Sequence, residues 1–245
     1  MSTLKQMEAK IKAMKREIER LQAINAIQNL AARYEVLHTP VTMHRTPEIF
    51  ALELPDCSME ISDWGVWVGK EAIEHLFGTV MKEDPLGSIY QHHLDTPMIQ
   101  VAKDGKTAKG VWWSPGYEIP RYPDGTHKMY WCWGKYVGDF IKIKGQWKVW
   151  HWHWLRTFRS AFEKSLVDDW MNTSVGTPRP HNFPGVKKTT FHHTYSTVDI
   201  RTPIPYDPEP YKTWTDGDWW FGDCIDYKGF CQDREFRGAI TKARK

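Results

Sequence analysis

Tyrosine and histidine side chains stand at a spacing in this chain that could support proton transfer. Tyr34 and His38 are four residues apart in a stretch with helical periodicity, so both side chains lie on one face of the helix. A neutral imidazole can take a proton near pH 7 and return it to a leaving oxygen. A phenol can donate a hydrogen bond to a carbonyl or a leaving hydroxyl. Both residue types are thus able to take part in acid–base chemistry, and their spacing puts them on the same face of the helix.

A second pair of imidazoles lies in the most aromatic part of the chain. His151 and His153 alternate with the tryptophans of Trp150–Trp154, and successive side chains on a strand point to opposite faces. The two histidines are therefore predicted on one face and the tryptophans on the other. With His92 they could form a three-nitrogen metal set, but no HExxH motif is present and nothing fixes a third ligand. We expect no metal, and the pair belongs either to a pocket or to a subunit interface.

A sheet must position these groups, and the stretch from Val111 to Phe158 has the alternation of three long strands. It contains eight of the fourteen tryptophans of the chain. A sheet with this much aromatic surface must be covered on one side by helices and on the other by a partner or a bound molecule. Because ring faces stack on ring faces, the tryptophans together favour a cavity for an aromatic or polycyclic ligand.

The N-terminal helix shows two successive apolar patterns. From Ile24 to Leu37 the apolar stripe is wide, as in a helix that covers a sheet. Before it, the spacing is that of a coiled-coil seam, which packs either on another subunit or on the body of the chain itself. The seam consists of Leu4, Met7, Ile11, Met14, Ile18 and Leu21.

Turn residues divide the middle of the chain into further elements. The turns Asp104-Gly105 and Lys144-Gly145 each join two long strands into a hairpin. The pattern predicts short helices over 46–52 and 69–80, short strands over 57–62 and 66–68, and long strands over 90–101, 107–119, 127–143 and 146–158. We therefore divide the chain into a helical extension (1–22), an α+β domain (23–172) and an arm rich in proline and aromatic residues (173–245).

Several classes of function are disfavoured by composition. A net charge of +3 is too small to predict nucleic-acid binding. No apolar run approaches the roughly 20 residues that span a bilayer, so we expect no membrane span, and we do not expect the charged N-terminus to be a signal peptide. The four cysteines form no CxxC pair, so a cytoplasmic protein with reduced thiols is expected. Glycine-rich phosphate loops are absent from the sequence, so we expect no nucleotide cofactor.

Four segments together resemble the nuclear transport factor 2-like, SnoaL-like proteins. They run from Ile27 to Tyr34, from Val68 to Ile73, from Gln91 to Ala108 and from Gly145 to Val149. The resemblance covers about residues 20 to 160. It implies an α+β cone, in which a curved antiparallel sheet wraps round a long N-terminal helix and two shorter helices. Because relatives include dehydratases, isomerases, cyclases, lyases that release formaldehyde from lignin-derived dimers, and non-enzymes, function must be argued from the site.

The resemblance also implies a site. In dehydratases of this superfamily a tyrosine on the first helix faces a histidine on the strand after the third helix, and the matching residues here are Tyr34 and His92. Those dehydratases place an aspartate four or five residues after the tyrosine, where this chain has His38 and Thr39. We expect His38, or a strand acid such as Glu118 or Asp139, to replace that carboxylate.

These observations predict a cofactor-independent lyase that eliminates formaldehyde or water from a hydroxylated aromatic molecule of the lignin-derived type. His92 is expected as the base and acid, Tyr34 as the hydrogen-bond donor and His38 as the second proton-transfer group. A steroid or polyketide isomerase or cyclase and a non-catalytic binding module stay open, and a homo-oligomer (dimer or trimer) is expected. The expected substrate-binding residues are Trp64, Trp113, Tyr117, Glu118, Tyr130, His151 and His153.

Overall fold

A long helix packs against one large curved sheet in the structure, which is a computed structural model of the chain. It describes residues 3–169, 183–187, 189–190, 194–195, 197 and 205–215. The helical elements are α1 (Leu4–Leu37), a 3₁₀ helix (Met43–Ile49) and α2 (Lys70–His75), which continues as a π-helical turn (Leu76–Val80). The strands are β1 (Ser58–Ile61), β2 (Val66–Val68), β3 (Ile89–His92), β4 (Asp95–Val101), β5 (Thr107–Ser114), β6 (Gly116–Ile119), β7 (Tyr130–Ile143), β8 (Gln146–Ala161) and β9 (Val186–Lys187).

Helix α1 begins outside the body of the protein and ends within it. Thr3 and Gln6 form a reciprocal capping box, which satisfies backbone N–H groups at the start of the helix. The first buried residue of the helix is Ala23, and the last is Leu37. The wide apolar stripe predicted after residue 23 therefore does cover the sheet. The seam before it makes no such contact, and its side chains are exposed.

The sheet has the order β3-β6-β7-β8-β1-β2-β9, and β5 pairs both with β7 and with β4. Neighbouring strands are antiparallel except β1 and β8, which are parallel, so the sheet is mixed and not wholly antiparallel as predicted. The predicted α+β architecture, in which a long helix and shorter helices pack against one curved sheet, is confirmed. Among the described residues no helix is long and apolar enough to cross a bilayer.

Two of the predicted long strands are each broken in two. The strand predicted over 90–101 divides into β3 and β4, and its partner divides at Pro115 into β5 and β6. Proline has no N–H to continue a ladder, and the carbonyl of Pro115 instead accepts a bond from the His93 N–H at 2.9 Å. The break separates the sheet into two wings. β3 and β6 then form the wing that carries His92 and Glu118 over the concave face.

Two β-bulges in β8 change which side chains point inwards. Asp139 pairs with His151 whereas Phe140 pairs with Val149, so Trp150 is an extra residue. The ring of Trp150 stacks on His151, on the convex face, at 4.4 Å between ring centroids. The prediction that all three tryptophans of Trp150–Trp154 share a face is therefore wrong for Trp150. Trp152 and Trp154 do face the concave side, where both contact Tyr136.

Aromatic rings fill most of the space between α1 and the sheet. The Trp152 ring lies 5.5 Å from both Tyr34 and Trp112, and 5.8 Å from Phe140. Trp67 is fully buried at the other end of this core. Much of the predicted aromatic surface is therefore hydrophobic core, and only part of it borders open space.

The C-terminal residues that the structure describes lie against the convex face of the sheet. The backbone N–H groups of Lys103 and Asp104 donate to the carbonyls of Tyr211 and Lys212 at 3.0 and 3.1 Å. The Lys109 ammonium lies 3.8 Å from the centre of the Trp214 ring. The predicted arm thus packs on its own domain at residues 205–215, and much of the rest of 173–245 lies outside the described residues.

Candidate functional site

A cavity of about 60 Å³ lies between the end of α1 and the concave face of the sheet. Aromatic and apolar side chains form most of its wall, and titratable groups are concentrated at one side. Its lining includes Tyr34 and His38 from α1, His92 from β3, Glu118 from β6, and Trp154, Arg156 and Arg159 from β8.

His92, Glu118 and Arg159 form a chain of polar contacts across this wall. The Nε2 atom of His92 lies 3.4 Å from Oε1 of Glu118. The Nε–H of Arg159 donates to the other carboxylate oxygen at 2.8 Å. The side chains of His92 and Arg159 are almost wholly buried, at 3% and 2% exposure, and that of Glu118 is 13% exposed. This geometry places a negatively charged carboxylate directly beside the imidazole.

The charge state of Glu118 follows from these contacts. Burial alone would raise its pKa, but the hydrogen bond from His92 and the charge of Arg159 outweigh burial. The pKa of Glu118 therefore lies well below its ordinary value, and the carboxylate is ionised at neutral pH.

His92 is seated where its neighbouring strand has no side chain. Gly116 pairs with His92 across β3 and β6. A Cβ at Gly116 would lie 2.8 Å from Nδ1 of His92 and would collide with the backbone oxygen of Gln91. Glycine at this position therefore permits the observed position of the imidazole.

His38 lies beside His92 but has a different charge state. The two rings are 5.4 Å apart, edge to face. Burial, and then the neighbouring His92, lower the pKa of His38 to about 3, although Glu118 acts in the opposite direction. His38 is therefore neutral at physiological pH and can give or accept a hydrogen bond, but it is a weak base.

Tyr34 remains a hydrogen-bond donor at all ordinary pH values. Burial, with a further contribution from Glu35, raises the pKa of its hydroxyl well above its ordinary value. Its ring lies 5.5 Å from His38 and 5.4 Å from Tyr136. Tyr34, His38 and His92 thus lie together in the lining of the cavity, with His38 in contact with both of the others.

Five of the ten residues singled out from the sequence line the cavity. They are Tyr34, His38, Trp64, His92 and Glu118. Tyr130 lies directly behind the wall, where the Arg159 guanidinium covers its ring at 3.5 Å. Its hydroxyl is hydrogen-bonded to that of Tyr122 at 2.6 Å. Tyr130 therefore packs against Arg159, which lines the cavity, and does not itself reach the cavity.

The structure corrects the placement of the other four. His151 and His153 lie on the convex face, where they contact Asp139 at 2.9 Å and Glu60 at 3.5 Å. Alternation on β8 puts them opposite Trp152 and Trp154, which border the cavity side. Trp113 and Tyr117 also point away from the cavity. Trp113 is 53% exposed, and the Tyr117 hydroxyl donates to Gln91 on the outer surface.

Three buried titratable groups near the cavity were missed by the sequence reasoning. Arg156 and Arg159 line the cavity because a second bulge, at Thr157, lets residues of opposite parity share a face. Glu35, next to Tyr34 on α1, has both carboxylate oxygens buried with no hydrogen-bond partner among the described residues. Burial raises the pKa of Glu35 well above its ordinary value, with Tyr136 opposing the effect. The types of residue in the sequence indicated neither the bulge at Thr157 nor the burial of the Glu35 carboxylate.

One group of side chains has the spacing of metal ligands within the described part of the chain. Ligand atoms of His92, Glu118 and Cys132 lie within 4.8 Å of one another. Burial raises the pKa of the Cys132 thiol well above its ordinary value, which disfavours the thiolate that binds metals. The Arg159 guanidinium already supplies a positive charge to Glu118. This group of side chains therefore suits the guanidinium of Arg159 better than a metal ion.

Comparison with protein families matches residues 19–153 to a SnoaL-like domain model. The match covers more than half of the chain and confirms the resemblance. A comparison with curated proteins finds no match.

Solved structures that match this chain have low sequence identity to it. A hexachlorocyclohexane dehydrochlorinase from Novosphingobium barchaimii is 14% identical, with 61% of this chain and 96% of that chain covered and a TM-score of 0.48. A putative scytalone dehydratase from Novosphingobium aromaticivorans is 18% identical, covering 59% and 91%, with a TM-score of 0.47. A protein of unknown function from Mycobacterium tuberculosis is 22% identical, covering 55% and 72%, with a TM-score of 0.41.

Proposed function

Because the chain belongs to the SnoaL-like domain family, we propose that its cavity is the active site of a cofactor-independent lyase. The substrate is a hydroxylated aromatic molecule, and the reaction eliminates water or formaldehyde. One observation carries this proposal. A buried imidazole, His92, contacts an ionised carboxylate held by an arginine, and a protonated phenol, Tyr34, lines the same cavity.

His92 is the base, and the protonated imidazole is then the acid. For loss of formaldehyde, His92 takes the proton of a primary hydroxyl and the C–O bond becomes a carbonyl. The electron pair of the broken C–C bond then forms an alkene, and a benzylic oxygen leaves with a proton. For loss of water, the base takes a proton from carbon and the hydroxyl leaves as water. In both reactions one group removes a proton from the substrate, and a protonated group gives a proton to the departing oxygen.

The neighbouring residues have supporting roles in this mechanism. Glu118 stabilises the imidazolium that forms on His92, and Arg159 keeps Glu118 ionised. Tyr34 donates a hydrogen bond to the departing oxygen. His38 was expected as a second proton-transfer group, but a pKa of about 3 makes it a weak base. We assign it a positioning role, as a neutral hydrogen-bonding group beside His92.

The walls of the cavity support an aromatic substrate. Rings of Trp64, Tyr90, Tyr136 and Trp154 line it together with that of Tyr34. Flat apolar walls hold a ring and exclude water, which strengthens the hydrogen bonds inside. Small-molecule sites are commonly about 300–1,000 Å³, so wall side chains must move to admit a phenylpropanoid or a diaryl compound of the lignin-derived type.

The test is incubation of purified, metal-stripped protein with a panel of hydroxylated diaryl and phenylpropanoid compounds. Products are identified by mass, and formaldehyde is measured separately. We expect one product class without added cofactor, and its mass names the leaving group. Saturable quenching of tryptophan fluorescence without any product would contradict the lyase and favour a binding module. Rearrangement without loss of mass would favour an isomerase.

A further inference from the structure

Two arginines lie deep in the wall of the cavity. Arg156 and Arg159 are 4% and 2% exposed, and both line the cavity. The bulge at Thr157 turns both towards the concave face. Lys and Arg side chains are almost never fully buried in proteins unless their charges are paired.

Each guanidinium is only partly satisfied. Nη2 of Arg156 donates to Asp63 at 3.0 Å, and Nε of Arg159 donates to Glu118 at 2.8 Å. Nε of Arg156 and Nη2 of Arg159 are buried and have no hydrogen-bond partner among the described residues. A buried donor without an acceptor is unfavourable, and more so when it carries charge. Both arginines therefore present a donor that a ligand could satisfy.

The charged groups around the cavity are compatible with a bound anion. Glu118 is the buried carboxylate of the lining, and it is already shared between His92 and Arg159. Asp63, the partner of Arg156, has a side chain that is 36% exposed and so is screened by solvent. Glu83 also belongs to the lining, but it is half-buried and not deep in the wall.

We propose that the cavity binds a substrate that carries a carboxylate, and that Arg156 and Arg159 donate to that carboxylate through these two N–H groups. A guanidinium binds a carboxylate through charge-assisted hydrogen bonds, which are stronger than neutral ones. The aromatic rings of the wall hold the apolar part of the same molecule. This inference deepens the proposed function by naming the substrate class, namely an aromatic carboxylic acid in its ionised form.

The test compares hydroxycinnamate-type acids with their methyl esters by quenching of tryptophan fluorescence and by calorimetry. We expect the acid to bind at least tenfold more tightly than the ester. Arg156→Gln lowers the affinity for the acid about tenfold to a hundredfold and leaves that for the ester unchanged. Asp63→Asn is the matched control, because it removes the partner of Arg156 and keeps the guanidinium. It leaves the affinity for the acid unchanged or raises it.

Equal binding of acid and ester, or an Arg156→Gln variant with unchanged preference, would overturn the carboxylate site. Thermal melting of each variant shows whether it is folded, and Arg156→Lys, which keeps the positive charge, restores part of the preference. Turnover is measured apart from binding, so the two proposals can fail separately. Turnover of neutral compounds only would support the lyase and contradict the carboxylate-binding site. Tight binding of acids without turnover would support the carboxylate-binding site and contradict the lyase.

A second, independent inference concerns the exposed half of α1. Its six seam side chains are 51–72% exposed, although their spacing is that of a coiled coil. Large apolar side chains aligned along one exposed face are typical of an interaction surface. In heptad notation the a positions are Leu4, Ile11 and Ile18, and the d positions are Met7, Met14 and Leu21.

The charges beside the seam distinguish between two ways of pairing two copies. In a parallel pair, Lys10 at a g position faces Lys15 at an e position of the second copy, which is repulsive. In an antiparallel pair, Lys10 faces Glu17 and Glu8 faces Lys15, so all four flanking contacts are attractive. Glu17 also pairs with Arg20 on its own helix at 2.6 Å.

The apolar layers also match in the antiparallel arrangement. Each a residue then meets a d residue of the second copy, and the three kinds of layer are Leu4 with Leu21, Met7 with Ile18, and Ile11 with Met14. We therefore infer that a second copy of this chain covers the seam as an antiparallel two-stranded coiled coil.

The mass of the full chain in solution, measured by sedimentation over a range of concentrations, tests this inference. We expect a dimer that Ile11→Asp dissociates. Lys15→Glu weakens the antiparallel dimer about tenfold because it faces Glu8, and Glu8→Lys with Lys15→Glu restores it. Lys12→Glu is the matched control for charge, since residue 12 is away from the seam. A monomer at all concentrations, a dimer unaffected by Ile11→Asp, or a dimer strengthened by Lys15→Glu would overturn the antiparallel seam.

Discussion

Gly116 is the residue whose lack of a side chain sets the position of His92. We predict that Gly116→Ala lowers the free energy of unfolding by about 1–3 kcal/mol, because the added methyl group has no room. It should also displace the imidazole from Glu118 and reduce activity. Gly78→Ala is the control, since a Cβ there meets nothing within 4 Å. Denaturant unfolding and turnover check the pair of variants. If Gly116→Ala and Gly78→Ala have the same free energy of unfolding, β3 and β6 can move apart at Gly116 without a loss of stability, which would contradict this prediction.

His38 gives a pH dependence of stability with a definite sign. Its pKa is about 3 in the folded protein and about 6.5 when unfolded, so only the unfolded chain binds this proton between those values. As pH falls from about 6.5 towards 3, this site should destabilise the fold by about 1 kcal/mol per pH unit.

The measurement is the free energy of unfolding of the wild type and of His38→Gln between pH 7 and pH 4. Glutamine does not titrate, so the variant should lose less stability over this range. If both proteins show the same slope, His38 is protonated in the folded state and the assigned neutral role is incorrect.

At the level of elements, the register of β8 places both cations of the cavity on one face. Arg156 and Arg159 are three residues apart, and they share the concave face because the bulge at Thr157 adds one residue. Deletion of Thr157 leaves them two residues apart, so regular alternation keeps both on that face. We predict that the deletion variant stays active, whereas Arg159→Met leaves Glu118 buried without its cation and lowers the free energy of unfolding by about 3 kcal/mol and activity at least a hundredfold. Turnover and thermal melting test both, and an Arg159→Met variant with wild-type activity would contradict this account.

The two β-bulges of β8, at Trp150 and Thr157, mark the limit of what the sequence could predict. Strict alternation correctly puts Trp152 and Trp154 on one face and His151 and His153 on the other, although not which face is concave, because β8 is regular between residues 151 and 156. It fails for Trp150 and cannot place Arg159 beside Arg156, because each bulge adds one residue that the residue types do not signal. Helix α1, the hairpin turns and the resemblance-based pairing of Tyr34 with His92 needed only local patterns or a family motif.

The contact between Glu118 and Arg159 needed more than a local pattern. It joins β6 to β8 across β7, and it exists because the sheet curves. Strand order and curvature are set by the packing of the whole core, so this contact could not be derived from spacing. Glu118 was named only as one of several acids that could replace a missing aspartate.

At the scale of the whole molecule, the sheet separates two kinds of polar cluster. The concave face carries the cavity, and the convex face carries His151, Asp139 and Lys109 under Trp214. Because Trp214 covers a charged cluster away from the cavity, its role is expected to be structural.

We predict that Trp214→Ala lowers the free energy of unfolding by about 2 kcal/mol, since a half-buried ring and its contact with Lys109 are lost. Turnover should be unchanged. Trp113→Ala removes an exposed ring and should change stability by less than about 0.5 kcal/mol. A loss of activity in Trp214→Ala at unchanged stability would connect the convex face to catalysis.

The central claim is that His92 transfers the proton in the reaction. The most direct measurement compares turnover and substrate affinity of the wild type and His92→Ala with the compound that the panel identifies. Loss of a general acid and base predicts a rate lower by about 10²–10⁴-fold with affinity changed little. A His92→Ala variant that keeps the wild-type rate would contradict the account, because the proposed reaction has both its base and its acid at this residue.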